Sequence, residues 1–231
     1  MSLVVVSNRL PVVFDHAEDS WQLRRGGGGL VRALDPVLRK RGGIWVGWPG
    51  VDAQHADGDW RDMLRAEGES RGYRFEPVML EGDHIRDFYG GFANSVLWPL
   101  FHNLDDRCVF EPAYFHAYVA ANERFARAIV TACEADDFVW VHDYHLICVA
   151  EKVRSLRPAQ RLGFFLHIPF PPFDGFVKLP WRAEMLDALL AYDLLGFQSE
   201  RDRRSFLECV RRLRPDIDVE EIEAANHHLV A

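Results

Sequence analysis

Cysteine is scarce in this chain and shows no pairing pattern. Cys108, Cys133, Cys148 and Cys209 stand far apart, with no CxxC among them. That spacing gives no disulfide framework and no zinc ribbon, and it suits small core residues in a reducing, cytoplasmic setting. Long apolar runs are missing as well. The N-terminus passes directly into a strand-like segment at 3–6 without a basic lead, so neither a signal peptide nor a membrane span is expected. Positive charge is in deficit: 27 Lys and Arg against 35 Asp and Glu leave a formal net charge of −8, which argues against nucleic acid as the main partner. Phosphorylated small molecules stay admissible, because they need only a few local cations. No internal repeat and no low-complexity linker interrupts the chain.

What is there suits a core-forming α/β protein. The 231 residues, 48% hydrophobic and 13% aromatic, suffice for one large domain or two small ones. Strand patterns at 3–7, 43–48, 73–80, 137–142, 161–167 and 193–197 alternate with helical patterns at 30–39, 83–97, 114–135, 146–156, 181–190 and 200–213. Such alternation predicts a Rossmann-like, doubly wound, mostly parallel sheet. Residues 52–69 are polar and read as a surface loop with a short helix; the tail from Pro215 has no recognisable element.

Two apolar runs, 138–141 and 162–166, end abruptly in ionisable clusters. The first delivers His142, Asp143, Tyr144 and His145; the second delivers His167 and the proline-rich 169–172. In an open α/β sheet the ligand crevice lies at the carboxyl ends of the strands. Taken singly, His142 and His167 could be satisfied core histidines and Asp143 a helix cap. Two strand ends with the same chemistry favour a site.

Three further features point to the same crevice. Arg24 and Arg25 lead into four glycines, 26–29, directly before a helix, where the backbone can approach an anion and the helix start offers free N–H groups. Val31 stands where a dinucleotide fingerprint needs its third glycine, and no Gly-Lys-Ser/Thr follows, so NAD and Walker A readings both fail. A flexible hairpin tip is the plain alternative. The first strand ends in Ser7-Asn8-Arg9-Leu10-Pro11, placing an arginine suited to phosphate at a strand end, unless it is a surface residue beside a turn. Trp45, Trp48, Phe88, Tyr89, Asn94 and Trp98 supply rings and an amide, as a sugar pocket would, although several such rings are expected to be core.

The motifs SNRLP (7–11), GGL (28–30), WVGWPG (45–50), FYGGFANSVLWPLFH (88–102), VHDYHL (141–146), GFFLHIPFPP (163–172), LPWR (179–182) and YDLLGFQSE (192–200) together resemble the trehalose-6-phosphate synthases. The resemblance runs in order from residue 3 to about 213. It implies the N-terminal, acceptor-binding half of a GT-B glycosyltransferase fold over 1–231, with the C-terminal nucleotide-sugar domain absent from this chain. The implied reaction transfers glucose, with retention, from UDP-glucose or another nucleotide-glucose to glucose 6-phosphate. The nucleotide-sugar is a co-substrate, and neither cofactor nor metal is expected.

Carried over by motif, Arg9, Trp45, Tyr89, Trp98 and Asp143 would bind glucose 6-phosphate, with Trp45 preferred to Trp48 as the ring facing the ligand. Gly28, Gly29 and His167 would lie by the donor sugar and its phosphates. Asp143 and His167 would be the catalytic pair, orienting and stabilising an oxocarbenium-like transition state rather than attacking it, so the nucleophilic carboxylate of a retaining glycosidase is not required. The isolated chain is expected to be inactive, its partner being the domain, or a chain supplying it, that completes the site. Three rivals are a related synthase making another sugar phosphate such as glucosylglycerol phosphate, a non-catalytic sugar-phosphate-binding regulator, and a metal hydrolase using His142, Asp143, His145 and His167.

Overall fold

The computed structural model describes residues 1–17, 20–55 and 57–220. Strand β1 (Leu3–Arg9) is followed by a two-stranded antiparallel hairpin, β2 (Val12–Ala17) and β3 (Ser20–Arg25), then helix α1 (Gly29–Arg41) and β4 (Ile44–Trp48). Helix α2 (Trp60–Arg71) leads to β5 (Arg74–Pro77). A continuous helical stretch follows: α3 (Gly82–Ile85), a π-helical segment (Arg86–Leu97) and α4 (Trp98–Phe101). Then come α5 (Pro112–Ala132), β6 (Phe138–His142), α6 (Val149–Leu156), β7 (Arg161–Leu166), the short α7 (Phe173–Phe176), α8 (Arg182–Leu190), β8 (Leu194–Phe197) and α9 (Glu200–Leu213). Among the described residues no helix is long and apolar enough to cross a membrane.

Six strands form one sheet in the order β5-β4-β1-β6-β7-β8, and every adjacent pair is parallel. The chain starts at β1, winds outward to β5, then returns to lay β6 against the free side of β1. Strand β1 shows why the sheet is covered on both faces. Val4 and Val6 enter the core shared with α5 and α6, while Val5 enters the core shared with α1 and α2. Helices leaving β1 and β6 therefore diverge to opposite faces, and the groove between these two strand ends is the topological switch point.

Three stretches differ from the sequence expectation. The pattern at 12–25 predicts no element, yet it forms the hairpin, whose Val12 and Phe14 are buried against Trp60 and Leu34. The 52–69 stretch contains not a short helix but the twelve-residue α2, buried along Trp60, Leu64, Gly68 and Arg71. The expected helix at 83–97 is helical but wound wide from Arg86 to Leu97, with Phe88, Gly91, Phe92, Ala93, Val96 and Leu97 buried. Of the tail, residues 215–220 end with Val219 buried, and 221–231 lie outside the described residues.

A buried ionic cluster ties α1, α2 and β5 together on one face. The Arg71 side chain, 4% exposed, donates to Asp35 Oδ1 at 2.9 Å and to Glu67 Oε1 at 2.7 Å. Tyr73 donates to Asp35 at 2.6 Å, and Arg39 donates to its other oxygen at 2.6 Å. Burial pushes the Asp35 carboxyl up, but these hydrogen bonds outweigh it and leave it below its ordinary value. Replacing Arg71 by Met takes from Glu67 its cation and from Asp35 one of its three donors, and a loss of about 3–5 kcal/mol in chemical denaturation is expected. Adding Asp35→Asn and Glu67→Gln should recover much of it. A single variant within about 1 kcal/mol of the parent would mean the cluster contributes no more than a surface pair.

Candidate functional site

The switch point holds a cavity of about 340 Å³. Its walls come from the end of β1 (Ser7, Asn8, Arg9, Leu10), from the glycine run with the first turn of α1 (Gly26 to Val31), from Val13, Trp45 and Tyr89, and from His142, Asp143 and His145. A larger hollow of about 620 Å³ lies between α2 and β5 at the sheet edge, lined by Leu64, Tyr73 and Phe75 among others. None of the polar strand-end clusters reaches it, so volume does not identify the site; chemistry does.

Arg9 is aimed by a register shift. Val6 pairs with Val46 but Arg9 with Trp48, so three steps along β1 match two along β4. The shifted backbone passes directly over Gly47, where a Cβ would stand 2.7 Å from the Leu10 nitrogen and 2.8 Å from the Arg9 carbonyl carbon. Only glycine fits there. The Arg9 guanidinium lies 4.4 Å from the Trp48 ring centre and 5.8 Å from that of Tyr89. Among the described residues no carboxylate pairs with it.

The glycine run is not a hairpin tip. It joins β3 to α1, with the Gly26 N–H donating to the Pro11 carbonyl at 2.9 Å. A Cβ at Gly27, Gly28 or Gly29 would meet nothing within 4 Å, so this backbone is open toward the cavity. Helix α1 has no side-chain cap at Gly28, leaving its first-turn N–H groups facing the same space.

Asp143 is the strained residue of the site. Its φ of 75° and ψ of 162° fall in a region open essentially to glycine alone. The conformation folds the carboxylate back over the turn, where Oδ1 accepts from the Tyr144 N–H at 3.0 Å and the His167 N–H at 3.3 Å. Burial pushes its pKa up, against those two N–H groups and the nearby His167. It does cap a helix, but the helix is the single 3₁₀ turn Tyr144–Leu146 rather than α6. Side chains from elsewhere hold that turn. Tyr118 donates to the Tyr144 carbonyl at 2.7 Å and accepts from the Ile147 N–H at 3.0 Å. Asn122 donates to the His145 carbonyl at 3.0 Å, and Tyr192 to that of Leu146 at 2.9 Å.

Three histidines surround Asp143. His145 lies in parallel with the Tyr89 ring at 5.4 Å and is tilted on Tyr144 at 4.0 Å. Burial, aided by the charge of Arg9, pushes its pKa down to about 3. His142 falls to about 3 as well, through burial and then the neighbouring His167. Its Nδ1 lies 3.1 Å from His167 Nε2. Among the described residues no three His, Cys, Asp or Glu side chains converge as a metal site requires.

The cavity thus gathers Arg9, Gly28, Gly29, Trp45, Tyr89 and Asp143. Trp45, however, is wholly buried, with its indole N–H on Ser7 Oγ at 2.8 Å; Trp48 is the ring that carries Arg9. His167 does not line the cavity and touches it through His142. Trp98 also lies outside, 40% exposed and stacked on His102 at 4.2 Å. Asn94 accepts from the Tyr144 hydroxyl at 2.8 Å, so its amide oxygen supports the turn. The wall also includes Asn8, His142 and His145, to which the resemblance assigns no ligand; the two histidines are legible as wall residues from their place beside Asp143.

A family model described as glycosyltransferase family 20 matches residues 1–229. A trehalose-6-phosphate synthase of Mycobacterium sp. strain KMS is 42% identical over 211 residues, 91% of this chain and 41% of that protein. Among solved structures, a trehalose-6-phosphate structure from E. coli bound with UDP-2-fluoro glucose matches at a TM-score of 0.76 and 33% identity, over 92% of this chain and 43% of that one. An α,α-trehalose-phosphate synthase (UDP-forming) from Burkholderia xenovorans in complex with glucose-6-phosphate matches at 0.74 and 31%, over 92% and 43%. The chain therefore spans about two fifths of the length of the relatives it matches.

Two outcomes follow from the geometry. Because Asp143 occupies a glycine conformation, Asp143→Gly should be more stable than Asp143→Ala by about 1–3 kcal/mol, reversing the usual preference for alanine. Denaturation curves in which the alanine variant is the more stable would mean that the turn carries no strain. The buried neutral histidines set the acid response. With folded pKa values of about 3 against an ordinary 6.5, His142 and His145 stabilise the fold fully above the ordinary value and lose that contribution as pH falls. Each should add roughly 1.4 kcal/mol per pH unit to the slope of stability between about pH 6 and 4. His145→Phe should remove about one proton from that slope; an unchanged slope would show that His145 is charged in the folded chain.

Proposed function

This chain belongs to glycosyltransferase family 20, and we propose that it forms the acceptor-binding, N-terminal Rossmann-like half of a cytoplasmic trehalose-6-phosphate synthase of GT-B fold. The activity is retaining transfer of glucose from UDP-glucose, or another nucleotide-glucose, to glucose 6-phosphate, with no metal or further cofactor. The observation that carries this reading is the opposition of two anion-attracting walls in one cavity. On one side stands Arg9, held between Trp48 and Tyr89 with no described carboxylate partner; on the other lies the open glycine backbone at the start of α1. Two phosphate-bearing substrates need two such walls.

In this reading Arg9 holds the phosphate of the acceptor sugar, and Tyr89 bounds its ring; Trp45, wholly buried, supports the wall from behind through Ser7. Gly28 and Gly29 bring α1 against the donor diphosphate, where free N–H groups offset the charge that grows as the leaving group departs. Asp143, between the two walls, takes a hydroxyl of the acceptor and fixes its approach to the anomeric carbon. The acceptor attacks on the face the diphosphate leaves, so Asp143 orients and stabilises and forms no bond to sugar. His167 meets the donor sugar. Catalysis then rests on positioning and on preorganised charge. The part of the relatives' length that this chain does not span is assigned the rest of the nucleotide-sugar site.

Calorimetry tests the acceptor wall. The 231-residue chain should bind glucose 6-phosphate, and Arg9→Ala should weaken that binding by about 1.5–3 kcal/mol, the range for hydrogen bonds to a charged group. Unphosphorylated glucose should bind weakly to both and change little. Equal losses for the two ligands would remove Arg9 from the phosphate site, and no glucose 6-phosphate binding by the parent would remove the acceptor assignment altogether.

A further inference from the structure

We infer that His142 is a positioning residue that locks the tautomer of His167, so that His167 meets its ligand with a protonated Nδ1. The two rings meet through His142 Nδ1 and His167 Nε2 at 3.1 Å, with ring centres 5.3 Å apart. Between two neutral imidazoles one nitrogen donates and the other accepts. His142 is 1% exposed, and burial keeps it neutral with a single proton to place.

The surroundings decide which nitrogen carries that proton. On Nδ1, it is given to His167, and the bare Nε2 is a buried acceptor. On Nε2, it is a buried N–H with no hydrogen-bond partner among the described residues. A buried donor without a partner is the rarer and costlier defect. The first arrangement therefore prevails, and His167 Nε2 is the acceptor. Burial also holds the His167 pKa below its ordinary value, against the pull of Asp143, so His167 is neutral and must carry its own proton on Nδ1.

The rest of His167 is fixed at its backbone. Its N–H donates to Asp143 Oδ1 at 3.3 Å, and its carbonyl accepts from Gln198 Nε2 at 2.6 Å. With the backbone tied at both ends and Nε2 engaged by His142, Nδ1 is the one nitrogen left for a ligand. It is a donor, suited to a sugar hydroxyl or phosphate oxygen and unsuited to accepting a proton. This deepens the role proposed above for His167 and rests on it only for the identity of the ligand; the lock belongs to the unliganded chain.

Long-range proton–nitrogen correlation spectra of the 231-residue chain at neutral pH distinguish protonated from bare ring nitrogens. Nδ1 protonated and Nε2 bare is expected in both His142 and His167; a His167 protonated on Nε2 overturns the inference. His142→Phe keeps a ring but no donor, and should shift the His167 tautomer ratio toward Nε2–H by about tenfold, which corresponds to a hydrogen bond of roughly 1.4 kcal/mol. His142→Asn places an amide nitrogen as far from the backbone as Nδ1 and should restore the parent ratio. An unchanged ratio in His142→Phe refutes the lock. If that variant fails to fold, the parent spectrum decides alone. Adding UDP-glucose separates the two readings: the expected tautomer with no response at His167 supports the lock while removing His167 from the donor site.

Discussion

Asp143 persists in a glycine-only conformation because the turn after it has no freedom to relax. Tyr118 grips it at Tyr144 and Ile147, Asn122 at His145 and Tyr192 at Leu146, from α5 and from the loop before β8. Strain of about 1–3 kcal/mol is tolerable when several buried hydrogen bonds depend on the same geometry. The result is a carboxylate folded back across the switch point instead of extended from the strand. The positions of His145, of Tyr89 stacked on it, and of Arg9 beyond Tyr89 all refer back to this turn. The backbone is set when the chain folds, so a ligand meets groups that need no reorganisation.

Charge in the cavity is kept spare by burial. His142 meets His167 at 3.1 Å and His145 feels the charge of Arg9, yet burial holds all three below the ordinary histidine pKa, His142 and His145 far below it. Were His145 protonated, it would compete with Arg9 for any anion and repel it across the Tyr89 ring. Neutral, it serves as a flat surface. Trp48 and Tyr89 do the corresponding work for Arg9, holding a guanidinium by its faces so that its N–H groups remain at the edges for a ligand. One cation among neutral rings is the feature on which the proposed phosphate role of Arg9 rests.

Much of this was legible in the sequence, and the reasons differ by element. The strands β1, β6 and β7 are short apolar runs closed by polar clusters, a pattern that suits buried parallel strands, and it places Arg9, Asp143 and His167 at the strand ends. The glycine run announced an open backbone before a helix. The hairpin at 12–25 escaped because its second strand, SWQLRR, is mostly exposed and its first buries only alternate residues. Helix α2 escaped because its buried stripe includes Gly68 and Arg71, which do not count as apolar. Neither the wide winding of 86–97 nor the ring of Trp48 under Arg9 has a signature in composition: the first is a change of hydrogen-bond step, the second a consequence of the register shift over Gly47. Trp45 and Trp48 lie three residues apart on one strand, hence on opposite faces of the sheet, and which face the crevice uses depends on where the neighbouring strand turns.

The same register shift joins the two walls into one site. If β1 kept step with β4, residue 8 would pair with Trp48, and Arg9 would move by one position to the other face of the strand, into the α1 side of the sheet. There it would be buried against Leu34 and Leu38, with its charge unpaired. The extra residue in β1 turns it instead over Trp48, toward the groove that the diverging helices leave open. Gly47 is the condition for that shift, since any Cβ there collides with backbone rather than with a movable side chain. The glycine run faces the same groove for an independent reason, the uncapped start of α1. Two unrelated backbone features, the register shift over Gly47 and the open start of α1, therefore converge on one cavity that also holds the strained carboxylate of Asp143, and the proposed reading rests on that convergence.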